Sequence, residues 1–132
     1  MKIEELKKQR FIRQLQSEIS SRFICDLYKD VKNVKISVQM TFNSAVLRKL
    51  CIKELKRNLS PSDRRYLHYE CINKDCTSEG FDLTRDLKLA LDSRSCIEGN
   101  MSCTGKEDWK YFKASGCSCR TSIKYTIEPE FY

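Results

Sequence analysis

The sequence predicts an α+β fold. It is read as a mainly antiparallel sheet of about four strands, with about three helices packed on one face and a four-cysteine zinc knuckle. Three observations lead there. Several runs alternate apolar and polar residues with period two, as half-buried strands do. Other stretches place apolar residues three and four apart, as amphipathic helices do. Six of the eight cysteines fall between Cys71 and Cys119.

The chain has 132 residues, 40% hydrophobic and 33% charged. That is one domain by length, 1–132, with a basic part (1–65) and a cysteine-rich part (66–132). Residues 3–24 read as an amphipathic helix along Ile12, Leu15, Ile19 and Phe23. In 34–42, Val34, Ile36, Val38, Met40 and Phe42 share one face of a strand, and Lys35, Ser37, Gln39 and Thr41 share the other. Asn43 or Ser44 then caps a second helix, with the stripe Leu47, Leu50, Cys51 and Leu55, closed by Pro61. Residues 66–71 are strand-like, with Leu67, Tyr69 and Cys71 on one side. Asp82 or Thr84 caps a third helix carrying Leu83, Leu87 and Leu91. Two more alternating runs follow, at 97–103 and 119–127.

Charge divides along the chain. Residues 1–65 hold 16 Lys and Arg against 7 Asp and Glu, a balance of +9; residues 66–132 balance at −2, which gives the overall +7. The densest basic run is Arg48, Lys49, Lys53, Lys56, Arg57, Arg64 and Arg65. Such asymmetry points to an anionic partner, nucleic acid or an acidic protein surface. The plainer reading is a solvated helix face.

The first ten residues lack the apolar run of a secretory signal, and no stretch approaches a membrane span. A cytoplasmic chain with reduced thiols is therefore expected, and there a cysteine cluster points to metal rather than disulfides. Cys71 and Cys76 enclose Ile72-Asn73-Lys74-Asp75, a knuckle that matches structural zinc spacing. Cys103 ends one strand and Cys119 begins the next, so a hairpin brings them across from each other. The expected ligands are Cys71, Cys76, Cys103 and Cys119, with Cys117 as substitute for the last. Four protein ligands leave no open position, so the expected Zn²⁺ is structural. An iron–sulfur cluster is the other four-thiolate option, although the ferredoxin spacings are absent. Cys25 and Cys51 read as small buried apolar residues and Cys96 as an outward thiol.

The run from Tyr69 to Thr84, YECINKDCTSEGFDLT, resembles a segment of small uncharacterised bacterial proteins with a four-cysteine zinc-ribbon-like module. The resemblance extends to Cys103 with Gly105, and to Cys119 with Ile123 and Tyr125. It implies a zinc-ribbon-like module in the C-terminal half. It brings no activity, and it does not cover the basic half.

Catalytic patterns are thin. His68-Tyr69-Glu70 has the H-x-E of zinc deaminases, but their P-C-x-x-C is missing. Cys117-Ser118-Cys119 lacks the C-x-x-C spacing of redox pairs. His68 would have to meet a reactive thiol for nucleophilic catalysis. Four glycines form no phosphate-cradling loop. In 104–116, Trp109, Tyr111 and Phe112 alternate with lysines. They suit either base stacking or an apolar cover for the metal. The expectation is a non-enzymatic, zinc-stabilised protein that binds nucleic acid through Arg48–Arg65 and Trp109. The alternative is an adaptor or homodimer using the N-terminal helix, and a zinc enzyme or thiol redox protein ranks below both.

Overall fold

A computed structural model describes residues 3–43, 50–72, 80–103 and 121–132. The elements run α1 (Ile3–Ser20), α2 (Ile24–Leu27), β1 (Val31–Asn43), β2 (Leu50–Leu59), β3 (His68–Tyr69), β4 (Phe81–Asp82), α3 (Thr84–Ser93), β5 (Ile97–Ser102) and β6 (Thr121–Phe131). Four strands form an antiparallel sheet in the order β2-β1-β6-β5, and β3 pairs with β4 apart from it. The fold class is thus α+β with a four-stranded antiparallel sheet and three helices among the described residues. No described helix is long and apolar enough to cross a membrane.

The alternation of β1 determines the layers. Val34, Ile36, Val38 and Met40 are buried, and they align across β6 with Ile127, Tyr125 and Ile123 on the same face. Over them lie Ile24, Leu67, Phe81, Leu83, Leu87, Ala90 and Leu91, from α2, the β3–β4 segment and α3. The core therefore sits on one side of the sheet, and the polar side chains of β1 line the other. Helix α3 packs on β6 and β5. Its start is satisfied by Asp82, whose carboxylate accepts the Thr84 N–H at 2.9 Å. Its end turns left-handed at Arg94 (φ 54°), whose guanidinium pairs with Asp30 at 2.6 Å and covers the Phe131 ring at 3.8 Å.

Two expectations are corrected. The helix expected from Asn43 or Ser44 to Pro61 is, over its described part, strand β2. The stripe Leu50, Cys51 and Leu55 does suit a helix, but β2 pairs with β1 over ten positions, from Val34 with Leu59 to Asn43 with Leu50. A long amphipathic neighbour offering a full ladder overrides local helix preference. The run 66–71 does not join the main sheet. Only His68 and Tyr69 form strand, against Asp82 and Phe81. Residue Gly80 closes that pair at φ +85°, beneath the Tyr69 carbonyl, where a β-carbon would sit 2.4 Å from the oxygen.

Candidate metal centre and interaction face

The β5–β6 hairpin expected around the cysteines forms. Its register runs from Ile97 with Ile127 to Ser102 with Ser122. Beyond it, the Cys103 N–H donates to the Thr121 carbonyl at 2.8 Å. The residue facing Cys103 is thus Thr121 rather than Cys119, which lies two positions further, outside the described residues. Thr121 is buried, and its Oγ1 accepts a hydrogen bond from the Cys71 Sγ at 3.2 Å. Two of the four expected ligands, Cys71 and Cys103, therefore meet around one residue at one end of the sheet. Both are half-buried against the core. Cys76, Cys117 and Cys119 lie outside the described residues. Among the described residues no three Cys, His, Asp or Glu side chains cluster at metal-binding distance.

The other described cysteines separate from this end. Cys96 is exposed, as its outward parity predicts. Cys25 and Cys51 are exposed too, which corrects the expectation of burial. Cys25 follows the first residue of the four-residue α2, where only Ile24 is buried. Cys51 falls on the edge strand β2, beyond the reach of the core layer.

The basic run is distributed by strand geometry. Pairing with β1 puts Lys53 and Arg57 opposite Met40 and Ile36, on the helix-covered side, and Lys56 opposite Ser37, on the other. Charged side chains along an edge strand discourage pairing with foreign strands. Arg64 donates from Nη1 to the Ile19 and Ser21 carbonyls at 2.9 and 2.6 Å and stacks on Phe23 at 4.6 Å, so it finishes α1. Arg65 donates its backbone N–H to Arg22. Arg48, Lys49 and Trp109 lie outside the described residues. The uncovered face of the sheet holds an open concavity of about 740 Å³ that mixes Glu54 and Glu98 with Lys56 and Lys124.

His68 sits under α1. Gln14 Nε2 lies 3.2 Å from its Nε2, and Tyr66 stacks on its ring at 6.4 Å. Burial, then the charges of Asp82, Glu18 and Glu70, raise the Tyr66 pKa. The buried Tyr69 hydroxyl has no hydrogen-bond partner among the described residues.

Helix α1 is turned opposite to the usual sense. Phe11, Ile12, Leu15 and Ile19 are exposed, Ile19 by 67%, while Arg10 on the opposite side is only 6% exposed. Phe23 extends the exposed row past the helix end. The helical stripe was legible in the sequence; which side meets the body was not. The buried Arg10 was missed, since no pattern marks one arginine among the basic residues of the helix. No family model, curated protein or solved structure matches this chain.

Proposed function

We propose that the chain is a non-enzymatic cytoplasmic protein-interaction module, with α1 as the docking element and a structural zinc fastening one end of the sheet. The observation that carries the docking reading is the outward apolar row Phe11, Ile12, Leu15 and Ile19. Exposed contiguous apolar surface of this kind marks an interaction site. A helix that offers such anchors at 3–4 residue spacing suits an apolar groove on a partner. Lys8, one turn before Ile12 on the same side, and the +9 balance of residues 1–65 favour an acidic rim on that groove. They oppose pairing with a second, equally basic copy.

A photo-reactive side chain placed at position 19 in intact cells tests this. The expected product is one adduct with an acidic protein. An adduct of twice the chain mass would favour the homodimer, and an adduct with nucleic acid the other reading. No adduct would sink the proposal. The nucleic-acid reading rests on the charge asymmetry. It predicts binding that weakens steeply with salt, because phosphate contacts release counterions.

The zinc reading places the ion on Cys71, Cys76, Cys103 and Cys119, with Cys117 as substitute. The convergence of Cys71 and Cys103 on Thr121 supports it. With Cys71 as a thiolate, the Thr121 hydroxyl would donate to the sulfur and orient it, as outer partners of metal ligands do. Zinc supplies folding free energy here and no chemistry. Metal content by native mass spectrometry is expected at one Zn²⁺ per chain. It should be lost in Cys71→Ser and Cys103→Ser and kept in Cys25→Ser and Cys51→Ser. A metal-free wild-type chain would refute the reading.

A further inference from the structure

The strand registers arrange the uncovered face of the sheet in rows. One row reads Glu54, Gln39, Lys124 and Asn100 across β2, β1, β6 and β5. The next reads Lys56, Ser37, Thr126 and Glu98 in the same order. A third sets Lys35 on β1 beside Glu128 on β6. All six charged side chains are exposed. Lys35 pairs with Glu130 at 2.9 Å. Among the described residues Glu54, Lys56, Glu98 and Lys124 enter no ion pair, and all four line the concavity of about 740 Å³. Lys35, Lys56 and Lys124 balance Glu54, Glu98 and Glu128, so these rows are neutral while residues 1–65 as a whole carry +9.

The order of these charges matters more than their sum. A two-fold axis along the strands, between β1 and β6, lays each row on its own reverse. Strand β2 then meets β5 of the second copy, and β1 meets β6. Lys56 meets Glu98, and Lys35 meets Glu128. Glu54 meets Asn100, with Lys124 one strand away at about 4.8 Å, within reach of both long side chains. Gln39 meets Lys124, and Ser37 meets Thr126. No two like charges stand opposite each other, and like-charge opposition is what excludes most pairings of charged faces. Sheets packed face to face keep their strands aligned to within about 30°, as this axis requires.

We infer that the uncovered face of the sheet binds a second copy of this chain, as a self-complementary two-fold dimer. The four charges left unpaired in the single chain find partners there, and each pair occurs twice. The lysine side chains enter the facing concavity, and water fills the remainder, as it does in polar interfaces. The rows span about 19 by 20 Å, so each copy covers about 400 Å², about half its share of a standard interface. The dimer is therefore a transient one, populated at high chain concentration. Helix α1 lies on the other side of the sheet, since Arg57, which points to that side, shares a cavity with Phe11, Gln14 and Leu15. Both α1 rows remain outward in the dimer, and the inference stands independently of what α1 docks on.

Sedimentation equilibrium of the full chain, at concentrations up to about 1 mM, tests this. Wild type should show a reversible monomer–dimer equilibrium. Lys56→Glu and Glu98→Lys should each weaken it about tenfold or more, because each reversal turns two ion pairs into two repulsions. The double variant carrying both changes restores the pairs in swapped order and should return to the wild-type equilibrium. A general charge effect predicts otherwise. Lys56→Glu lowers the net charge from +7 to +5 and Glu98→Lys raises it to +9, so the two would move association in opposite directions. If either variant fails to fold, Glu54→Lys with Lys124→Glu repeats the swap at the neighbouring pair. A wild-type chain that stays monomeric at about 1 mM overturns the inference. So does a dimer that both single reversals leave intact, or one that the swap does not restore, since it would use another surface.

Discussion

Helices α1 and α3 have the same kind of pattern and opposite fates. In α3, Leu87, Ala90 and Leu91 are buried on β6 and β5. In α1 the apolar row faces solvent, and Arg10 and Gln14 face the protein. Amphipathicity tells that a helix has two sides. It does not tell which of two apolar surfaces, the chain's own core or another molecule, the apolar side will meet. The core of this sheet is filled by α2, α3 and the β3–β4 segment, and the stripe of α1 is not part of it.

Stability measurements sharpen that contrast most strongly. Leu87→Ala should cost about 2–5 kcal/mol in denaturant unfolding, the range for emptying a packed core position. An effect near zero would mean that α3 is no more committed to the core than α1. Gly80→Ala should come next, at about 1–3 kcal/mol, because it forces a side chain onto a left-handed backbone and against the Tyr69 carbonyl. It probes the small β3–β4 sheet, which carries His68 toward α1 and Tyr69 against the core.

The packing between the sheet and the layer over it should also be the part that fails in alkali. Tyr28, Tyr66, Tyr69 and Tyr125 all have pKa values raised from 10.0, in each case first by burial. Raised folded-state values mean that their contribution is complete below pH about 10 and is lost as pH climbs through the folded values. Tyrosine absorbance at 295 nm should lag the titration of the unfolded chain and then rise together with loss of helix. Titration of all four at the unfolded midpoint would show that the layer does not exclude water.

How much of this was legible in the sequence depends on which force decided each element. The β1 alternation was read residue for residue, since one buried face leaves no other register. The inward side of Cys103 was read from parity, and the β5–β6 pairing that the ligand set presupposed forms, with Thr121 rather than Cys119 facing Cys103. Strand β2 was not. Its Leu50, Cys51 and Leu55 suit helical spacing, and only the presence of β1 beside it selects the strand. Cys25 and Cys51 were misplaced for the same reason, because burial depends on what lies over a residue and not on its type. Arg10 could not be singled out at all, since its burial follows from the sense in which α1 is laid down.

Tyr69 offers a smaller test of the boundary between the two helices' surroundings. Its hydroxyl is buried without a partner among the described residues, and an unmet polar group costs more than its removal. Tyr69→Phe should therefore stabilise the fold by about 1 kcal/mol. A loss of stability instead would show that the hydroxyl has a partner that the folded chain recruits, most simply water.

The smallest expected effect is the most discriminating one. Leu15→Ala and Ile19→Ala should change the stability of the isolated chain by less than about 0.5 kcal/mol, because exposed positions contribute little to folding. The same substitutions in α3 would be severe. If they cost as much as Leu87→Ala, the row on α1 is core and the helix lies differently on the body. If stability holds while the position-19 adduct disappears in Leu15→Glu, then the apolar side of α1 is kept for a partner. The two helices would then divide one property between two tasks, α3 holding the fold and α1 presenting it.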